Sequence, residues 1–243
     1  MRVLRIVVID GESGNVDETS DAGRPGNRPL HLNRRSFLIG SAASAGALGL
    51  GGCLSSEARL RREAAALYYG PVADDKFPIP AMDISKVKPK YFRQVVDYKS
   101  DEAPGTIVID PSNYFVYRVE GEGKATRYGA NVGRQGFLWS GNAYVGRKGE
   151  WATWTPPKEM IQREPRAAKY AGGMPGGPDN PLGARTLYLY QDGVYTLYTI
   201  YASRYPETIG TNLTSGCTGL MTQDMIHLYD RTPVDTKVIV LPA

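Results

Sequence analysis

Short apolar runs, cut at close intervals by glycine and proline turns, constrain this chain more than any other feature. Residues 106–110 form such a run between Pro104-Gly105 and Pro111. Residues 114–119 repeat it, Gly121-Glu122-Gly123 supplies a turn, and residues 125–132 read as the returning strand. Later come residues 186–190 and 195–201, separated by Gln191-Asp192-Gly193, and finally residues 237–241. Strand patterns spaced in this way imply consecutive hairpins. Gly 28, Pro 17 and Tyr 16 in a chain of 243 residues favour a turn-rich β protein over a helical bundle. A hydrophobic share of 42% is enough for one packed domain with extensions.

Three short helices fit between the strands. Residues 55–69 are rich in Ala, Leu, Arg and Glu, all good helix formers. A second helix starts at Thr155 as N-cap with Pro156 at the first helical position, and runs through Met160. A third covers residues 223–229 with Thr222 as cap and Met225, Ile226 and Tyr229 on its core face. The net charge of +4 comes from Lys and Arg interspersed with Asp and Glu. There is no basic block and no nucleic-acid motif, so no nucleic-acid partner is expected.

Residues 1–53 read as a targeting segment, apart from the fold. Asn33-Arg34-Arg35-Ser36-Phe37-Leu38 resembles a twin-arginine export signal. The apolar run 37–50 that follows is shorter than the ~20 residues a bilayer-spanning helix needs, and has the length of a signal-peptide core. It ends in Leu50-Gly51-Gly52-Cys53, which resembles a lipobox, with Cys53 as the lipidated first residue of the mature chain. Plain cleavage, or an uncleaved anchor with an incidental cysteine, is the alternative. The expected product is a periplasmic protein, exported by the twin-arginine route and held to a membrane by a lipid anchor. Residues 54–74 would be a helical and extended spacer, with Arg59, Arg61 and Arg62 solvated or near lipid headgroups. Residues 75–243 would be the folded domain.

If Cys53 carries lipid, Cys217 has no intrachain partner among the chain's two cysteines. A lone thiol in an oxidising compartment is a liability unless it has a role. A buried structural cysteine is the other reading. Ser215-Gly216-Cys217-Thr218-Gly219 speaks for an exposed bend, since small turn-forming residues flank the thiol on both sides.

Thr214-Ser215-Gly216-Cys217, with Ile209-Gly210 before it, resembles the cysteine motif of the L,D-transpeptidases with a YkuD-type catalytic domain. Asn180-Pro181-Leu182-Gly183-Ala184-Arg185 resembles a turn that precedes a strand of that family, and the likeness runs over residues 75–241. It implies a mainly β, sandwich-like domain with short helices. It also implies a cysteine nucleophile, Cys217, that attacks a peptidoglycan stem peptide and passes the acyl group to an amine. Ser215 and Gly216 would bind substrate or the oxyanion, through the amides of Gly216 and Cys217. No cofactor or metal is implied. The chain departs from the pattern at three positions: Tyr201 stands for the motif histidine, Ala202 for its glycine and Gly219 for its arginine. Ser203 keeps the Ser/Thr position and can orient a neighbour. Arg204 is either a partial substitute for the missing arginine or a solvated loop residue. His227, the one histidine after the export segment, reads as a solvated surface residue. Two functions follow from these residues: a cysteine acyltransferase acting on peptidoglycan, and an impaired relative that binds peptidoglycan or a partner.

Overall fold

The computed structural model describes residues 56–74, 76–134 and 139–243. The expected export signal, with Arg34, Arg35 and Cys53, lies outside the described residues. In chain order the elements are α1 (Ser56–Tyr68), β1 (Gln94–Asp97), β2 (Ile107–Asp110), β3 (Phe115–Gly121), β4 (Lys124–Asn131) and β5 (Gly141–Glu150), then α2 (Lys158–Arg163), β6 (Arg185–Gln191), β7 (Val194–Ser203), β8 (Thr218–Met221), α3 (Thr222–Asp230) and β9 (Lys237–Val240). The strands join in the order β1-β4-β3-β2-β9-β5-β6-β7-β8. Ala130 and Asn131 of β4 also pair with Leu220 and Gly219 of β8, so the row folds over and closes on itself. The pairs β2–β9 and β7–β8 are parallel, and the other pairings are antiparallel. The chain is thus the mainly β, sandwich-like domain expected.

β2 shows how the two layers arise. Successive side chains of a strand point to opposite faces. Ile107 and Ile109 join one apolar cluster with Val116, Leu187, Ile200, Leu220 and Met225, while Val108 joins another with Tyr117, Val119 and Met221. Residues before β1, with Tyr98 just after it, close the second cluster. Ala64, Tyr69, Ile84, Val87, Tyr91, Phe92 and Tyr98 are all buried in it. Each large apolar side chain so buried stabilises the fold by about 1.5–3 kcal/mol.

The segment expected as a spacer therefore lies against the body. Arg61 donates from Nη1 to the carbonyls of Ile84 and Val87, both at 2.6 Å. Asp74 accepts from Trp151 Nε1 at 2.8 Å and from Arg185 Nη2 at 2.9 Å.

Two helix expectations need correction. α2 starts at Lys158 with Pro157 in the cap position, not at Thr155. α3 contains Thr222 rather than being capped by it: the Thr222 hydroxyl donates to the Ser203 carbonyl at 3.2 Å, tying the helix to the end of β7. Its buried face is Met225, Leu228 and Tyr229, with Ile226 only partly covered.

Candidate active site

β7 and β8 run parallel, with Ile200 opposite Thr218, Tyr201 opposite Gly219 and Ser203 opposite Met221. A hairpin cannot join parallel strands, so residues 204–217 cross back over the end of the sheet. The crossing lies along the continuation of β4. Gly210 N donates to Ala130 O at 2.8 Å, Val132 N to Thr211 O at 3.0 Å, and Thr214 N to Val132 O at 3.1 Å. Where the loop meets the end of this continuation, Gly133 faces Gly216, and a Cβ on Gly133 would stand 2.7 Å from Gly216 Cα. Gly216 itself has φ +127°, which side-chain-bearing residues avoid. The turn that delivers Cys217 is completed by Thr214, whose hydroxyl donates to the Cys217 carbonyl at 2.6 Å and accepts from the Gly216 amide at 3.3 Å. The Gly216 amide can serve an oxyanion only by giving up that bond.

Cys217 keeps part of its surface open to solvent. Protein atoms nevertheless crowd its sulfur, and this burial pushes the thiol above its usual value, while Thr199's hydroxyl and main chain pull it down. The thiol donates to the carbonyl of Leu197 at 3.7 Å. That carbonyl is brought to the sulfur by a bulge in β7, where the register with β6 shifts between Tyr188 and Tyr190. Leu197 sits in the bulge at φ +68°, a sparsely populated conformation for a residue with a Cβ, and its side chain is exposed. Thr196 stabilises the bulge: its hydroxyl donates to Leu189 O at 2.7 Å and accepts from Tyr198 N at 3.2 Å.

Tyr201 is embedded. Its hydroxyl donates to Asn131 Oδ1 at 3.4 Å. The same oxygen accepts the Gly219 amide at 2.9 Å, and Asn131 Nδ2 donates to Thr208 Oγ1 at 2.7 Å. Burial, then the nearby Cys217 charge, raises the phenol far above its usual range against the Asn131 hydrogen bond. Tyr201 is a neutral donor, not a base. A Cβ at Gly219 would stand 2.3 Å from Asn131 Oδ1 and 2.8 Å from Tyr201 Cζ. Tyr201 and Gly219, paired across β7 and β8, therefore share one space.

The other expected residues are placed differently from one another. Ser203 is buried, and its hydroxyl accepts from the Tyr205 amide at 3.3 Å, orienting the next turn rather than Tyr201. Arg204 is committed to the loop before β6, donating to Pro178 O and Asp179 Oδ1, both at 2.8 Å. Ser215 donates to Glu164 Oε1 at 3.2 Å, bringing the α2 segment beside the cysteine turn. His227 is not a solvated histidine. It is partly buried, its Nδ1 is 2.8 Å from Tyr128 Oη, and burial with Arg93, Arg231 and Arg118 pulls it down to about 4. Among the described residues no cluster of three or more His, Cys, Asp or Glu could hold a metal ion.

Sequence reasoning missed Asn131, Thr199, Glu164 and Leu197. Each reaches the site through strand register or a long loop, and none carries a motif of its own. It also missed the aromatic flank, where Trp139 stacks on Tyr198 with ring centres 5.6 Å apart. Beside it a groove of about 420 Å³ opens, lined by Pro111, Ser112, Gly133, Trp139, Ser140 and Asn212.

A family model described as the L,D-transpeptidase catalytic domain, YkuD, matches residues 104–240. The probable L,D-transpeptidase ErfK/SrfK of Escherichia coli K12 is 34% identical over 98 residues, covering 40% of this chain and 30% of that protein. The probable L,D-transpeptidase YbiS of the same strain is 36% identical over 96 residues, covering 39% of this chain and 29% of that protein. The matches thus span about a third of these relatives' length. A crystal structure from Brucella melitensis, described as a probable carnitine operon oxidoreductase, is 42% identical over 65% of this chain and 99% of its own, with a TM-score of 0.45.

Proposed function

The chain belongs to the family of YkuD-type L,D-transpeptidase catalytic domains, and from that premise we propose that it remodels peptidoglycan by acyl transfer through Cys217. The observation that carries this reading is the cysteine itself: a partly exposed thiol on a glycine turn that the whole 204–217 crossing serves to place. The Cys217 sulfur attacks a stem-peptide carbonyl, forms a thioester and expels the terminal D-residue as an amine, which takes the thiol proton. An acceptor amine then attacks the thioester and its proton returns to sulfur. The Cys217 amide is the proposed donor to the developing oxyanion. Tyr201, protonated throughout, donates a hydrogen bond where the family places a base.

Lack of that base has a cost. General acid–base help is typically worth ~100- to 10,000-fold. A free cysteine is still a few per cent thiolate at pH 7; burial leaves Cys217 less ionised than that, so only a slow reaction remains. We further propose that the protein is exported through Arg34-Arg35 and anchored by lipid at Cys53, which puts Cys217 in the compartment of its substrate.

A second reading, an impaired relative that binds peptidoglycan or a partner, is favoured by Tyr201. Its hydroxyl is tied to Asn131, and the thiol proton rests on a carbonyl that cannot accept it outright. One experiment separates the two. A carbapenem, which acylates the nucleophile of active family members, is followed by mass-spectrometric labelling across pH 6 to 9. The acyltransferase reading expects slow labelling at pH 7 that climbs as the thiol ionises and vanishes in Cys217→Ala. No labelling at any pH, with the thiol still open to small alkylating reagents, would sink it in favour of the binding module.

A further inference from the structure

Thr199 lies on β7 two residues before Tyr201, paired with Tyr188 of β6. The residue is 3% exposed, and its Oγ1 is buried without a hydrogen-bond partner among the described residues. Burying a hydroxyl is unfavourable unless something receives it. With Gly216 and Thr218, Thr199 lines a cavity of about 20 Å³ behind the cysteine turn. Thr199 and Cys217 each precede by one residue the parallel pair Ile200–Thr218, so the strand register puts Thr199 beside Cys217, and Thr199 counters the burial that raises the thiol.

We propose that Thr199 is a catalytic residue, its unpartnered hydroxyl turning to donate a hydrogen bond to the Cys217 sulfur once that sulfur is a thiolate, where no histidine is present. The geometry divides the two states of the sulfur between two partners. As a thiol, Cys217 donates to the Leu197 carbonyl, which favours the neutral form. As a thiolate it loses that bond and gains the Thr199 donor, which favours the ion. No proton is taken up by Thr199. The thiol proton leaves to solvent or to the departing amine, and Thr199 lowers the cost of the charge left behind. The inference rests on Cys217 being the nucleophile, but its readout does not require turnover.

The test is the pH profile of Cys217 alkylation by iodoacetamide in the whole protein, compared with Thr199→Val and Thr199→Ser. Valine keeps the shape and removes the donor, and serine keeps the donor. Thr199→Val should move the midpoint up by about one pH unit and slow alkylation about tenfold at pH 7, with the plateau at high pH retained. Thr199→Ser should retain the original midpoint. Thr199→Ala, expected to shift like valine, serves if the valine variant fails to fold. An unchanged midpoint in the variant lacking the hydroxyl overturns the proposal. A shift in a protein that carbapenem never labels supports Thr199's role and counts against the enzyme. Normal labelling with no shift counts against Thr199 alone.

Discussion

Substituting Gly219→Ala tests whether Tyr201 and Gly219 are one steric unit. Gly219 is absent from the positive-φ residues, so alanine meets no backbone strain there, and in a strand it should gain slightly over glycine. Any loss must come from the new methyl. It would stand 2.3 Å from Asn131 Oδ1 and 2.8 Å from Tyr201 Cζ, in a buried place where Asn131 already holds the Gly219 amide and Thr208. Overpacking a core position costs typically ~1–3 kcal/mol, and displacing Asn131 adds about 1 kcal/mol for a disturbed hydrogen bond. The expected destabilisation is about 2–4 kcal/mol, or roughly 4–16 °C in Tm at ~2–4 °C per kcal/mol for a domain of this size. Tyr201→His withdraws the phenol, so the double variant should be less damaged than the sum of the singles by about 1 kcal/mol or more. Urea unfolding of the four proteins in the cycle measures this. A neutral Gly219→Ala, or strict additivity, would refute the reasoning.

Two further predictions concern pH and processing. Asp224 is wholly buried, with Tyr69 Oη donating to Oδ2 at 3.1 Å and Arg93 Nε 3.7 Å from Oδ1, and burial raises its carboxyl to about 7. The folded state thus holds a proton that the unfolded chain releases near ~3.9, and the stability present below that value is lost as pH rises through about 7. His227, pulled down to about 4, acts in the opposite sense: stability rises with pH from about 4 to its ordinary ~6.5. In the unmodified protein the two should offset each other below about pH 6.5. Asp224→Asn should leave only the rising limb, and an unchanged stability profile by urea unfolding from pH 4.5 to 8 would count against this account. The mature protein should begin at Cys53 and carry lipid, and intact mass of the membrane-extracted form checks it. A form that retains earlier residues or lacks acyl mass would show the lipobox reading to be wrong.

The strands that the sequence made legible are those with apolar alternation between glycine turns: β2, β3, β4, β6, β7 and β9 all lie within a residue or two of expectation. β5 was missed, although it sits between β9 and β6. Its ten residues, Gly141–Glu150, bury only Ala143 and Val145, so it has no apolar period to read. β8 was missed as well, since its four residues are too few for a pattern. The N-terminal segment looked like a spacer because polar helix formers dominate it. Its few core residues, Ala64 and Tyr69, matter only once a sheet face exists to receive them.

By itself the sequence determined the turn chemistry, the family and the thiol at Cys217, because these reside in residue types at short spacing. Only the tertiary structure decided what surrounds that thiol. Pairing of β7 with β8 places Tyr201 opposite Gly219, pairing of β4 with β8 brings Asn131 to both, and a bulge in β7 turns the Leu197 carbonyl towards the sulfur. The physical reason is that register and burial are long-range properties. A tyrosine is a poor base in water as well, but burial against Gly219 and Asn131 is what makes it a fixed neutral donor, and that follows from where the strands meet.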